Sequence, residues 1–198
     1  MYRFLLLLLL LGALAGTAGA GPRQVVSLDG LWQLAGGSME APTSDFSTRA
    51  PVPGLVDMAD PYLPDVGVEA STQRREAFWY RRTFSLPGPV PEVALLKVNK
   101  ACYTTRVFLN GQLIGDHVGS FTPGWFDLKP ALKGEGAENE LLIRVGAWRN
   151  SMPLGVPDGN DFERIKYLPG IYDSVSLILT GSPYIARAQT VPQLEDNS

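Results

Sequence analysis

The segment VFLNGQLIGDHVGSFTPGW, residues 107–125, decides the fold. Asn110-Gly111 stands between two β-rich runs, the signature of a two-residue type I′ hairpin turn, in which both central residues need positive φ. Such a turn pairs Leu109 with Gln112, Phe108 with Leu113 and Val107 with Ile114. The last two are apolar cross-strand pairs on opposite faces. A hairpin apolar on both faces is expected at the centre of one layer in a two-layer protein. His117, the single histidine, closes the second strand of this hairpin. It reads as an edge or surface residue bonded to backbone rather than as a catalytic base, and Phe121 and Trp125 read as caps on the core.

Working outward, Gly and Pro together number 37 of 198 residues and fall between short apolar runs, with no amphipathic helical stretch among them. Eight strands are predicted: Gly30–Ala35, Phe78–Leu86, Glu92–Val98, Thr104–Leu109, Gln112–Val118, Gly124–Leu128, Asn139–Ala147 and Val175–Leu179. In NELLIRV, Leu141, Ile143 and Val145 share one face, while Glu140, Leu142 and Arg144 share the other. An all-β, antiparallel sandwich of about eight strands follows. Gly54–Glu76 and Arg149–Pro169 fit no strand; loops this long are usually functional or disordered, and their aromatics, prolines and clustered acids favour ordered surface loops.

The chain opens MYRFLLLLLLLGALAGTAGA: one arginine, an apolar run from Phe4 to Leu14, then the small residues Ala18-Gly19-Ala20. This is the layout of a secretory signal peptide with an apolar centre too short for a permanent span, so export to a periplasm or the exterior is expected. Residues 1–20 hold one basic and no acidic side chain. The remaining 178 residues therefore carry 16 basic against 20 acidic groups, a formal −4. That balance, without a basic block, argues against nucleic acid or membrane as a partner. The pairs Arg74-Arg75 and Arg81-Arg82 are expected to be solvated or matched with acids. A lone cysteine, Cys102, excludes an internal disulfide and reads as a small buried residue before a strand.

No nucleophile elbow, phosphate loop or His-Glu-x-x-His motif occurs. One histidine and one cysteine leave little for zinc or for a Ser-His-Asp triad, so neither metal nor cofactor is expected. Glycosidic hydrolysis needs two acids held face to face, about 5–5.5 Å apart for retention and about 6.5–9.5 Å for inversion. Asp158, Asp161 and Glu163 in the later loop, and Asp57, Asp60, Asp65 and Glu69 in the earlier one, are not fixed at such spacings by anything in the pattern. They read as solvated acids, then as contacts to a polyhydroxyl ligand, then as calcium ligands, and last as an autonomous catalytic pair. Sugar binding asks only for planar apolar faces beside hydrogen-bonding side chains. Trp125, Trp148, Tyr167 and Tyr172 lie near Asn150, Asn160, Asp161, Glu163 and Arg164, with Trp125 and Tyr172 favoured as core.

Six landmarks occur in order: SLDGLWQLA (27–35), PVPGLV (51–56), FWYRRTFSLP (78–87), VFLNGQLIGDHVGSFTPGWFDL (107–128), ENELLIRV (138–145) and PGIYDSVSLILTGSPYI (169–185). Together they resemble the N-terminal sugar-binding domain of glycoside hydrolase family 2, which includes β-galactosidases, β-glucuronidases and β-mannosidases. The resemblance implies a galactose-binding-like jelly roll over residues 21–183. It makes 184–198 a linker or the first strand of an immunoglobulin-like domain. In the family a (β/α)8 barrel beyond that domain holds both catalytic glutamates, so the resemblance implies that no residue of this chain is catalytic. It also implies a β-glycoside ligand, met by the loop before the Gly-Ile motif, and here Asn160, Asp161, Glu163 and Arg164 are the expected contacts. Where the family's β-galactosidases and β-glucuronidases place a sugar-binding Asp, six residues before that Gly, this chain has Arg164. Asp173 stands where an Arg often follows Gly-Ile-x. A free-standing carbohydrate-binding module and a non-catalytic interaction domain remain alternatives.

Overall fold

Asn110 and Gly111 both take positive φ, 51° and 81°, so the turn at the tip of the hairpin is of the expected type. The computed structural model describes residues 22–64, 66, 75–157 and 168–191. It contains ten strands: β1 (Gln24–Ser27), β2 (Gly30–Gly37), β3 (Thr48–Val52), β4 (Ala77–Phe84), β5 (Val93–Val98), β6 (Thr104–Leu109), β7 (Gln112–Val118), β8 (Gly124–Asp127), β9 (Asn139–Gly146) and β10 (Val175–Thr180). They form two sheets, β1-β10-β5-β8 and β3-β2-β4-β9-β6-β7, with every pairing antiparallel. The all-β sandwich of the sequence reading holds. Its two additional strands, β1 and β3, are edge strands. Each is short, and β3 contains Pro51, which cannot donate to a ladder and belongs at an edge.

The hairpin departs from expectation in two ways. Leu109 faces Gln112 and Phe108 faces Leu113, but a bulge then sets Val107 against Gly115 instead of Ile114. One extra residue on β7 shifts the register, and Ile114 packs partly against the core. The hairpin is also not central: β7 ends the six-stranded sheet. Leu113, whose pairing with Phe108 made the outer face look buried, is 50% exposed, and Val118 on the same strand is 48% exposed. The bulge and Asp116 on this strand are the devices that discourage edge-to-edge pairing. His117 sits on this edge with Nε2 2.9 Å from the Thr122 carbonyl oxygen, the expected strand-end role.

The core lies between the sheets. Trp32, Leu34, Tyr80, Val107, Leu141, Ile143 and Val145 from one sheet meet Ala94, Leu96, Phe126, Val175 and Leu177 from the other. Trp32 and Tyr80 pack edge to face with centroids 6.5 Å apart, and the Trp32 indole donates to the Leu28 carbonyl at 2.8 Å. Full burial of each large side chain contributes about 1.5–3 kcal/mol. Asn110 is tied in as well: its Nδ2 donates to Ala131 O and Asn139 Oδ1, both at 2.8 Å, and its Oδ1 accepts Glu140 N–H at 2.9 Å.

The outer face of the six-stranded sheet is covered at one place. A row runs Ala35, Trp79, Arg144, Arg106, Asp116 across β2, β4, β9, β6 and β7. The segment after β2 folds over it, accepting from the Trp79 indole at Ser38 O (3.0 Å) and from Arg144 Nη1 at Met39 O (2.8 Å). Arg106 binds Asp116 through two parallel bonds, 2.6 and 2.9 Å, which hold the Asp116 carboxyl below its ordinary range. Among the described residues Arg81 and Arg82 find aromatic rings instead of acids: Arg81 lies 4.0 Å from the Phe46 centroid and Arg82 5.8 Å from that of Trp32. Among the described residues, no helix is long and apolar enough to cross a membrane.

Candidate functional site

The loop 149–169 is anchored at both ends on the β9–β6 side of the larger sheet. Its start follows β9, whose Val145 pairs with Thr105 of β6. Its close is bonded to the residues just before β6: Cys102 N–H donates to Gly170 O at 2.9 Å, and Gly170 N–H donates to Cys102 O at 3.1 Å. Cys102 is half-buried, more open than expected, and its backbone does the work.

A third segment completes the anchor. Gly54 N–H donates to Ile171 O at 2.8 Å and Val56 N–H to Pro169 O at 2.9 Å. This lacing explains the glycine in the Pro-Gly-Ile motif. A Cβ on Gly170 would lie 2.6 Å from Gly54 O and 2.7 Å from Leu55 Cα, both backbone atoms that cannot swing aside. Ile171, next along, is fully buried. Tyr172 is half-buried, and its hydroxyl donates to the Ser120 carbonyl; burial above all pushes the phenol up to about 12. Asp173 accepts Ser174 N–H at 2.8 Å and pairs with Lys100 at 3.2 Å, both of which lower its carboxyl. The acid standing at the family's arginine position is thus tied to its own strand start.

Where the two long loops join the sheet, a cleft of about 570 Å³ opens between Glu40, Arg75, Glu76, Trp148, Asn150 and their neighbours. Trp148 is 9% exposed, and its indole donates to Arg75 O at 3.0 Å. Glu76 Oε2 accepts Met39 N–H at 3.1 Å. Carboxylates and an amide beside an aromatic ring in one cleft suit a polyhydroxyl ligand, since the polar groups offer donors and acceptors in several directions. Among the described residues no three His, Cys, Asp or Glu side chains gather where they could hold a metal ion.

Asn160, Asp161, Glu163 and Arg164 lie outside the described residues, as do Asp65, Glu69, Asp158 and Tyr167. Of the remaining candidates, Trp148 and Asn150 come together at the cleft, while Trp125 does not join them. Trp125 is on the outer face of the smaller sheet and 43% exposed; Phe121 is 52% exposed, so neither caps the core. Asp57 follows the lacing at Val56, and Asp60 pairs through its backbone with Arg49. The sequence reading missed Glu40 and Glu76. No local motif marks them, and only the fold of 38–41 over the sheet brings them beside Trp148.

Known proteins accord with this architecture. The family profile described as "Glycosyl hydrolase 2 galactose-binding domain-like" matches residues 55–156. No curated protein matches the chain in sequence. Among solved structures, a Bifidobacterium dentium β-glucuronidase complexed with coumarin-3-O-glucuronide is similar at TM-score 0.58 and 24% identity, over 81% of this chain and 30% of that one. A Dictyoglomus thermophilum β-D-glucuronidase gives TM-score 0.61 and 20% identity, over 88% and 31%. A calcium-binding mutant of Bacteroides uniformis β-glucuronidase 2 gives 0.60 and 24%, over 79% and 18%. At these identities the likeness is one of fold, and the chain spans less than a third of the length of each enzyme. The matched profile covers more than half of the sequence, and the chain belongs to the glycosyl hydrolase 2 galactose-binding domain-like family.

Proposed function

We propose that these residues are the N-terminal, carbohydrate-side domain of an exported family 2 glycoside hydrolase that cleaves a β-linked glycoside. The family match over residues 55–156 carries the reading. On this reading the catalytic acid and nucleophile come from outside these 198 residues. That division is supported by the share of the similar glucuronidases that the chain covers. The domain's contribution is the loop 149–169, held by the Gly170 lacing and offering Asn160, Asp161, Glu163 and Arg164 to hydroxyls of the substrate. The leader over 1–20 directs export, 21–183 form the jelly roll, and 184–198 lead into an immunoglobulin-like domain.

Two measurements test this. The pure 198-residue protein should release no nitrophenol from any aryl β-glycoside; turnover would overturn the assignment of catalysis to other domains. In a glycan-array or calorimetric screen, Asp161→Ala and Glu163→Ala should each weaken saccharide binding by about tenfold, the loss of one charge-assisted hydrogen bond. Unchanged binding in both would refute the role of the loop.

A further inference from the structure

The outer face of the four-stranded sheet carries a second feature. Two rows lie side by side on it: Val25, Ile178, Leu95 and Asp127 across β1, β10, β5 and β8, and Ser27, Ser176, Lys97 and Trp125 beside them. After β10 the chain continues without a strand through 181–191, and Tyr184 to Arg187 join this face as one wall of a groove. The groove measures about 510 Å³, with Leu95 and Ile178 beneath and Trp125 and Tyr184 as aromatic walls. Arg23, Arg187 and Asp127 bring the charges.

Three properties narrow the occupant. The aromatic walls are open, Trp125 at 43% and Tyr184 at 41%, so both rings present a face to solvent. Lys97 Nζ lies 5.2 Å from the Trp125 ring centroid, a cation–π contact beside the groove. Among the lining residues Arg23 and Arg187 outnumber the one acid, Asp127, so the rim is basic on a chain whose net charge is −3. The volume falls within the roughly 300–1,000 Å³ of small-molecule sites and suits a ligand of that size. An aromatic face accepts the C–H face of a pyranose, and guanidinium and ammonium groups at its border favour a carboxylate.

We propose that this groove, apart from the cleft beside Trp148, binds an anionic pyranose, a sugar carrying a carboxylate. The saccharide class rests on the reading in the preceding subsection; the position and the preference for negative charge rest on Trp125, Tyr184, Arg23 and Arg187 alone.

The test is amide and indole N–H chemical-shift mapping of the whole chain titrated with D-glucuronate and, separately, with D-glucose. Glucuronate should move the Trp125 indole and the amides of Leu95 and Ile178, and bind about fivefold more tightly than glucose, the worth of one exposed charge contact. Trp125→Ala should weaken it about tenfold, and Arg187→Gln about fivefold with a reduced dependence on salt. Glu163→Ala should leave these shifts in place. Equal response to the two sugars, no response at these residues, or retention of binding by Trp125→Ala overturns the proposal. Shifts at the groove with none in the loop 149–169 would instead refute the loop's role and leave the groove standing. Should Trp125→Ala fail to fold, Arg187→Gln carries the test, because Arg187 is on an exposed strand-free segment.

Discussion

Gly170→Ala is the substitution that tests whether backbone lacing positions the candidate loop. The added methyl would stand 2.6 Å from Gly54 O and 2.7 Å from Leu55 Cα. Relief requires residues 54–55 and 170 to separate by several tenths of an ångström or more. Four backbone hydrogen bonds hold them together: Gly54 to Ile171, Val56 to Pro169, and the reciprocal pair between Cys102 and Gly170. Overpacking in a closely packed site costs about 1–3 kcal/mol. Stretching two of the four bonds adds about 1 kcal/mol each. The expected loss is therefore about 3–5 kcal/mol, a large part of the stability of a domain this size. Urea unfolding followed by tryptophan fluorescence would read it as a lowered midpoint at unchanged slope. Gly88→Ala is the control, since a Cβ there meets nothing within 4 Å, and its effect should stay within about 0.5 kcal/mol. If Gly170→Ala unfolds no more easily than Gly88→Ala, the close approach is not what demands glycine, and the argument for a rigidly anchored loop fails.

Two further outcomes are expected. Asn110→Gly keeps the positive φ that the turn needs but deletes the bonds to Ala131, Asn139 and Glu140; a loss of about 1–3 kcal/mol in urea unfolding would show that the side chain is more than a turn former, and a neutral result would refute this. Burial raises the phenol of Tyr80 far above its ordinary value and that of Tyr172 to about 12. Each folded pKa exceeds the unfolded one, near 10, so the folded state keeps protons that the unfolded chain loses. Their contribution is intact below about pH 10 and falls away above it. Ultraviolet difference titration should leave at least two of the seven tyrosines un-ionised until the fold is lost, and early titration of all seven would refute the burial argument.

Strand identity was legible because it depends on local pattern. The alternation in NELLIRV placed Leu141, Ile143 and Val145 inward, where all three are fully buried. Asn110-Gly111 marked its turn because few residues tolerate positive φ. What the pattern could not supply was the neighbour on each side. An exposed apolar residue and a buried one look alike in a single strand, so the Phe108–Leu113 and Val107–Ile114 pairs made β7 appear central. The bulge escaped notice for the same reason: a one-residue slip depends on what both strands pack against. For Arg81 and Arg82 the sequence allows solvation or pairing with acids, whereas the rings of Phe46 and Trp32 reach them through sheet pairing and loop packing.

For the candidate site the division runs between composition and convergence. The amino-acid sequence by itself determined an all-β sandwich, the position of its long loops, the family resemblance and the absence of familiar catalytic motifs, since all of these are written in residue order. The tertiary structure alone decided that Gly170 must lack a side chain, because Gly54 comes from more than a hundred residues away. It likewise decided that Glu40 and Glu76 share a cleft with Trp148, and that Trp125 faces solvent beside Lys97 instead of capping the core. Each of these depends on long-range pairing, and contacts between distant segments exist only once the sheets have closed on one another.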